Sequence, residues 1–227
     1  MRKLTIALMI VLCVLWAGAV WADEKDDHEE GFAPVPQTGQ VTSFDANTPK
    51  RDDGALQKGV ELPTPRFTDQ GTGTIKDNLT GLIWLKNANC PNSVRNWQQA
   101  LNDVVSLNTT GKMNNNNCED KSGKRGSHRT DWRLPNIREL FSLVDFAFFD
   151  PALSNAKGDG TCIPTDCAFS NFQASGYWSS TTNLGETTSA GPMSTAWFVS
   201  FFEGRVFSVV KSDGAGFVLA VRGGAED

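Results

Sequence analysis

The stretch Asp131-Trp132-Arg133-Leu134-Pro135-Asn136-Ile137-Arg138-Glu139-Leu140 is the most informative part of the chain. Pro135 restricts the backbone that leads into the segment, and Asn136 is a residue type that favours the N-cap of a helix. The apolar residues that follow fit one face of a helix: Ile137, Leu140, Phe141 and Val144. We therefore predict a loop up to Pro135 and a helix that begins after Asn136.

The segments on either side predict further strands and a second helix. Short apolar runs between glycine-containing turns predict strands over residues 67–69, 73–77 and 82–85. A second helix is predicted over residues 93–107, with Ser93 as its cap, because its apolar residues recur at helical spacing: Trp97, Leu101, Val104 and Leu107.

After the central stretch the pattern is that of β-structure. Strands are predicted over residues 177–181, 197–202, 205–211 and 217–222. Glu203-Gly204 reads as a two-residue connection between the second and third of them, since glycine adopts a positive φ easily. Two helices among antiparallel strands predict an α+β domain.

The N-terminus has the pattern of a secretory signal peptide. Arg2 and Lys3 precede an apolar run over residues 4–15, and Val20-Trp21-Ala22 offers small residues for cleavage after residue 22. Export to the periplasm, cell surface or extracellular space is therefore expected, with no membrane span after cleavage. Loss of the two cations would change the net charge from −5 to −7, which disfavours nucleic acid as a partner.

Residues 23–65 are predicted to form a flexible tether. The segment opens with an acidic cluster and then scatters prolines among polar residues. Its apolar residues are too sparse to offset the entropy lost on ordering. Residues 66–224 would then form the folded domain.

Four cysteines would remain after cleavage, namely Cys90, Cys118, Cys162 and Cys167. An even number in an exported chain favours disulfides over metal ligation, and three pairings are possible. We favour Cys90–Cys118 and Cys162–Cys167, because each pair is local in sequence.

Several motifs together resemble the Lcl C-terminal domain family, a bacterial secreted family named after a collagen-like adhesin. The resemblance covers residues 66–224 and rests on the central stretch and on the following motifs: Phe67-Thr68-Asp69, Asn78-Leu79-Thr80-Gly81, Tyr177-Trp178-Ser179-Ser180, Ala196-Trp197 and Val221-Arg222-Gly223-Gly224. The Arg-Leu-Pro and Arg-Gly-Gly motifs also look like those of the formylglycine-generating (sulfatase-modifying) family, which has a C-type-lectin-like fold. The resemblance thus implies a C-type-lectin-like, disulfide-bridged domain with two helices flanking a small twisted antiparallel sheet.

The sequence offers little catalytic machinery. No complete nucleophile elbow, phosphate-binding glycine loop or metalloprotease helix is present, so no catalytic residue, metal site or cofactor is predicted. His128 is the one domain histidine, and a lone loop histidine is a weak candidate for a general base. Cys162 and Cys167 lie well before the position at which the sulfatase-modifying enzymes carry their redox cysteines. Asp69, Asp77 and Asn78 could offer oxygens to calcium, but their types and spacing favour turns.

One cationic loop stands out in this acidic chain. The predicted ligand-binding residues lie in it and are Lys121, Lys124, Arg125, His128 and Arg129. Such a loop suits sulfate or uronate groups through charge-assisted hydrogen bonds, and the adhesin of the family points the same way. We predict a non-catalytic recognition module for a polyanionic glycan or a cell-surface protein. An envelope scaffold or assembly subunit is the alternative, an enzyme of the sulfatase-modifying type is less favoured, and the oligomeric state stays open.

Overall fold

The computed structural model describes residues 35–213 and 215–223. The predicted signal peptide, the start of the tether and the chain end from residue 224 lie outside these residues. The helices are α1 Asp53–Leu56, α2 Trp97–Thr110 and α3 Ile137–Phe141, with a 3-10 turn at Lys124–Gly126. The strands are β1 Phe67–Asp69, β2 Thr74–Asp77, β3 Ile83–Leu85, β4 Lys112–Met113, β5 Asn116–Asn117, β6 Gly176–Thr182, β7 Thr187–Thr188, β8 Gly191–Pro192, β9 Thr195–Ser200, β10 Arg205–Val210 and β11 Val221–Arg222. The predicted mixture of few helices and small antiparallel sheets is confirmed.

The first sheet joins the two ends of the domain. Its four strands lie in the order β1-β2-β3-β11, and every pair is antiparallel. Trp84 lies opposite both Ile75 and Val221 in the register, and all three side chains are fully buried. The last strand of the chain therefore closes onto the first hairpins.

The second sheet has the order β10-β9-β6 and contains the predicted hairpin. The connection is longer than the two residues predicted, because β9 already ends at Ser200. The carbonyls of Phe201 and Phe202 accept hydrogen bonds from the N–H groups of Ala152 and Asp150, at 2.6 and 3.0 Å. These bonds draw the two phenylalanines out of the ladder, so that Gly204, with a φ of 75°, makes the turn.

The strand predicted over residues 217–222 is shorter in the structure. Only β11 is a strand, because the segment changes partners along its length. The N–H of Phe217 donates to Gly176 at 2.9 Å, in the second sheet, whereas the carbonyl of Ala220 accepts from Leu85 at 3.0 Å, in the first. This segment therefore links the two sheets.

Helix α2 begins later than predicted. Asn96 is its cap in place of Ser93: its side chain accepts from the N–H of Gln99 at 2.8 Å, and the Gln99 side chain accepts from the N–H of Asn96 at 3.0 Å. Arg95 forms an antiparallel bridge with Gly216, which keeps the backbone extended up to that point. The helix can start only after this bridge.

Helix α3 has the predicted cap. Asn136 accepts hydrogen bonds from the N–H groups of Arg138 and Glu139 at 2.9 and 3.0 Å, and the Glu139 side chain returns a bond to the N–H of Asn136. Leu140 is buried, but Phe141, predicted on the same apolar face, is exposed. The helix ends at Phe141, which packs its ring edge-on against Phe146.

Two apolar clusters form the core. The first lies around the first sheet and α3, and its members include Phe67, Ile75, Trp84, Leu140, Leu153, Phe169, Tyr177, Phe201 and Leu219. The second packs under α2, and its largest members are Leu85, Leu107, Met113, Trp132, Leu134, Trp178 and Phe198. Burial of this apolar surface is the main stabilising contribution to the fold.

Both predicted disulfides are present. Cys90 is bonded to Cys118 across 28 residues of sequence, and Cys162 is bonded to Cys167 across 5. The first ties the segment after β3 to the residue that follows β5. The loop that begins at Cys118 is therefore covalently anchored at its start.

Residues 35–65, part of the predicted tether, contact the domain. The N–H of Phe146 donates to the carbonyl of Thr38 at 2.8 Å, which joins the segment to the domain. Within the segment, the N–H of Val60 donates to the carbonyl of Val35 at 2.8 Å. The flexibility predicted for residues 23–65 stays a prediction. No helix among the described residues has the length and apolar character needed to cross a bilayer.

Candidate functional site

The basic loop, residues 118–133, is organised around the buried carboxylate of Asp120. This group accepts hydrogen bonds from the N–H and the hydroxyl of Ser122, at 2.9 and 2.5 Å. It also accepts from the N–H of Arg129 at 2.8 Å and from the indole Nε1 of Trp132 at 2.7 Å. One side chain thus fixes the course of the loop at three points.

The hydrogen bonds determine the charge state of Asp120. Burial acts to raise the pKa of this carboxyl, but the bonds from Ser122, Arg129 and Trp132 outweigh it and hold the pKa below its ordinary value. Asp120 is therefore ionised at neutral pH.

The tip of the loop is a tight turn that carries two cations. The N–H of Gly123 donates to the carbonyl of Ser127 at 2.7 Å. A Cβ on Gly123 would lie only 2.6 Å from that carbonyl oxygen, so a glycine is required there. Lys124 and Arg125 lie within the turn and are exposed, and Arg125 has the left-handed φ of 58°.

Two further cations lie lower on the loop, in a cleft that we call the basic cleft. The N–H of Lys121 donates to the carbonyl of Thr72 at 2.9 Å, and Nε of Arg129 donates to the carbonyl of Ser122 at 2.9 Å. The cleft has a volume of about 370 Å³ and is lined by Gln70, Thr72, Lys121, Ser122, Gly123, Arg129 and Arg222. The cleft is widely open to solvent, so a ligand would lie along it rather than be enclosed by it.

Arg222 is the third cation of the basic cleft. Its guanidinium carbon lies 5.4 Å from the centre of the Trp132 ring, close enough for a cation–π contact. The side chain is 14% exposed, and its nearest carboxylate oxygen, on Asp131, is 3.9 Å from Nη1. This separation is longer than a hydrogen bond.

His128 lies on another side of the loop. Its Nε2 is 3.2 Å from the carbonyl oxygen of Asn108, and its ring packs against Gly111 at the end of α2. His128 does not line the basic cleft. Of the five predicted ligand residues, Lys121 and Arg129 lie at the basic cleft, and Lys124 and Arg125 lie at the tip. His128 shares a separate depression with Lys121 beside the end of α2.

The three candidate calcium ligands, Asp69, Asp77 and Asn78, have other partners in the structure. Asp69 forms an ion pair with Lys86 at 2.6 Å, and Asp77 pairs with the buried Arg66 and accepts from the N–H of Leu79. The side-chain amide of Asn78 donates to the carbonyl of Pro65, also at a turn. Within residues 35–213 and 215–223, no group of three or more His, Cys, Asp or Glu side chains is arranged to hold a metal ion.

Comparison with known families matches residues 73–222 to the Lcl C-terminal domain family. The match covers more than half of the chain. The chain belongs to this family. No curated protein matches it, and no solved structure matches it.

The matched part of this Lcl C-terminal domain contains the features that make up the site. It includes the basic loop, the anchoring disulfide and Arg222, and it runs from just before β2 to the end of β11. The bounds predicted from sequence, residues 66–224, are a few residues wider at each end. Gln70 and Thr72 in the lining of the basic cleft lie just before the match.

Sequence reasoning missed Arg222 as a site residue of the Lcl C-terminal domain. In the sequence it stands in the closing Arg-Gly-Gly motif, about ninety residues after the basic loop. The antiparallel bridge between Arg133 and Val221 brings the two segments together. No local signal in the sequence gives this pairing.

Proposed function

We propose that the protein is an exported, non-catalytic recognition module that binds a polyanionic glycan through the basic loop. The observation that carries the proposal is the rigid support of a cationic surface. The loop is anchored by the Cys90–Cys118 disulfide and by the hydrogen bonds of Asp120, and it exposes the side chains of Lys121, Lys124, Arg125 and Arg129. A pre-organised loop loses little entropy when it binds.

The clustering of unpaired cations in the basic loop supports the same proposal. Arg133 forms two hydrogen bonds with Glu139 at 2.6 and 2.7 Å, and Arg205 pairs with Glu203 at 2.9 Å. By contrast, the four cations of the basic loop form no ion pair with another described residue. Unpaired cations in a chain of net negative charge leave a local positive field for a polyanion.

The proposal is tested by retention on immobilised heparin or fucoidan. Replacement of Lys121, Lys124, Arg125 and Arg129 with Ala should abolish salt-sensitive retention and leave the melting temperature unchanged. The matched control replaces four other exposed cations, which likewise form no ion pair within the described part of the chain, with Ala and so alters net charge by the same amount: Lys50, Lys76, Arg138 and Lys157. Equal loss in both variants, or unchanged retention in the first, would reject the basic loop as the site.

A second candidate function is assembly within the envelope, and exposed aromatic residues favour it. Phe149 and Phe202 pack edge to face with ring centres 4.6 Å apart, and both are exposed, as are Phe141 and Phe146. Exposed apolar patches often mark protein interfaces. Light scattering after size-exclusion chromatography distinguishes the candidates: a defined oligomer that Phe149→Ser breaks, without glycan retention, would favour assembly.

The non-catalytic part of the proposal rests on the lack of grouped reactive side chains in the described residues. His128 bonds to a backbone carbonyl, and Cys162 and Cys167 are joined in a disulfide. An enzyme of the sulfatase-modifying type would need free or exchangeable thiols. Turnover of any substrate by highly purified protein would overturn this part.

We also propose the C-type-lectin-like fold for the domain. The antiparallel pairing of β3 with β11, the helices α2 and α3 and the two disulfides support it. An experimental structure that superposes on C-type-lectin-like domains, with the same strand order, would bear this out. A different strand order would reject it.

A further inference from the structure

The lining of the basic cleft has an unusual balance of charge. Three cations, Lys121, Arg129 and Arg222, line it together with hydroxyl and amide groups, and no carboxylate does. Nε of Arg129 bonds to the Ser122 carbonyl, but its two Nη atoms and Nζ of Lys121 have no hydrogen-bond partner among the described residues. Like charges brought together repel one another, and a bound anion would relieve the repulsion that the neighbouring Asp131 offsets only partly.

Arg222 is held in place by packing, and its nearest carboxylate, on Asp131, lies beyond hydrogen-bonding distance. Its guanidinium stacks on Trp132, and the side chain is mostly buried. Its Nε is buried and has no hydrogen-bond acceptor within the described part of the chain. Its position is therefore set by packing and by β11, and its donors are not consumed by a strong ion pair.

We propose that Lys121, Arg129 and Arg222 bind one oxyanion group of the ligand, a sulfate ester or a carboxylate, in the basic cleft. This inference rests on the proposed function and assigns its anchoring contact to the cleft rather than to the tip of the loop. Arginine donors suit the oxygen pairs of sulfate and carboxylate. The partial burial of Arg222 makes its charge less screened than those of Lys124 and Arg125, which are exposed at the tip.

The side-chain amide of Gln70 at the cleft fits the same ligand. Gln70 lines the cleft, and its amide nitrogen has no hydrogen-bond acceptor among the described residues, so it is able to donate to an anionic oxygen. The hydroxyl groups of Thr72 and Ser122 also line the cleft, but they already donate to Thr74 and Asp120. The cleft thus provides three cations and a neutral donor in one position.

Asp131 is the nearest competitor for Arg222. Its carboxylate lies 3.9 Å from Nη1 and is 57% exposed, so it partly offsets the positive charge beside the cleft. Removing this charge without changing the size of the side chain should strengthen anion binding. Asp131→Asn should therefore raise the affinity for an anion, whereas removal of the Arg222 charge should lower it.

The experiment measures the affinity of the purified full-length exported protein for three soluble probes. Dextran sulfate carries sulfate only, hyaluronate carries carboxylate only, and unmodified dextran is the neutral control. Arg222→Gln should weaken binding of whichever charged probe, dextran sulfate or hyaluronate, the wild-type protein binds. The expected loss is about tenfold or more, as for loss of a charge-assisted contact. Asp131→Asn should strengthen it, and Lys157→Gln, which alters an exposed lysine outside the cleft, should leave it unchanged.

Circular dichroism and the melting temperature show whether Arg222→Gln stays folded. If it does not, Asp131→Asn, which leaves Arg222 in place, decides the matter. A folded Arg222→Gln variant with unchanged affinity, or an Asp131→Asn variant that does not strengthen binding, when Lys124→Ala with Arg125→Ala weakens binding, would overturn the cleft and leave the tip as the site. Wild-type protein that binds neither charged probe would overturn the proposed function, and the cleft assignment with it.

Discussion

The indole Nε1 of Trp132 donates a hydrogen bond of 2.7 Å to the buried carboxylate of Asp120. Trp132 is itself only 3% exposed and belongs to the apolar cluster under α2. The bond therefore connects the basic loop to the core. The conformation of the loop and the stability of the domain should respond together to changes at this point.

Asp120→Asn is expected to lower the free energy of unfolding by about 2 kcal/mol or more. An amide oxygen accepts fewer hydrogen bonds than a carboxylate. The amide N–H₂ would also point at an N–H group of Ser122, Arg129 or Trp132, so that two donors meet without an acceptor. Urea unfolding measures the change. Asp131→Asn is the matched control, because Asp131 is exposed and should alter stability by less than about 0.5 kcal/mol.

The stability contributed by Asp120 should depend on pH in a defined direction. Hydrogen bonds that outweigh burial hold its pKa below that of an unfolded chain, about 3.9. The contribution is thus complete above that unfolded pKa and is lost as the pH falls through the lower folded pKa. The stability difference between wild type and Asp120→Asn should shrink in acid. A difference that grows on acidification would contradict this assignment.

Asp145 should act in the opposite direction. Burial raises the pKa of this carboxyl in the folded protein, so that the folded state holds the proton more tightly than the unfolded state does. Its replacement by Asn should therefore stabilise the domain above the raised pKa and make little difference in acid. Unfolding curves at neutral and acidic pH test this, with Asp150→Asn, at an exposed position, as the control.

The ion pair between Arg66 and Asp77 is buried on both sides. Arg66→Met leaves the carboxylate of Asp77 without its cation and should cost about 3–5 kcal/mol. The double variant Arg66→Met with Asp77→Asn should lose less than the sum of the two single changes, because the second change removes the unpaired charge. Additive losses in urea unfolding would mean that the pair contributes no coupling.

The two disulfides should differ in their contribution to stability. In the chain-entropy model the loop closed by Cys90 and Cys118 corresponds to about 3–4 kcal/mol, and the short loop closed by Cys162 and Cys167 to about 2 kcal/mol. Replacement of each pair by Ser, followed by urea unfolding, gives the two values. The reverse order would show that effects other than loop length dominate.

Thiol titration of denatured, unreduced protein tests processing and disulfides together. Of the five cysteines, four form the two bridges, and Cys13 lies in the predicted signal peptide. With both bridges formed and residues 1–22 removed, no thiol should therefore react. One thiol would indicate that the N-terminal segment is retained. Two or more would contradict the bridges and revive an enzyme with reactive cysteines.

Local sequence was sufficient where a side chain acts on its own neighbours. Asn136 and Glu139, which exchange two hydrogen bonds at the start of α3, lie within four residues of sequence. The start of this helix could therefore be predicted. The same logic failed at Ser93, because the bridge from Arg95 to Gly216 is set by distant chain. The prediction of the hairpin connection was also wrong at Phe201 and Phe202, because their carbonyls accept hydrogen bonds from the distant segment around Ala152.

The sequence by itself determined the family, the class of the fold and the presence of a cationic loop, and it favoured the two disulfide pairs, because each depends on residue types at short spacing. Only the tertiary structure decided which cations share a cleft. Lys121 and Arg129 meet Arg222 because β11 returns to pair with β3 and with Arg133. Contacts between segments so far apart follow from the packing of the whole core, which no local pattern of residues encodes.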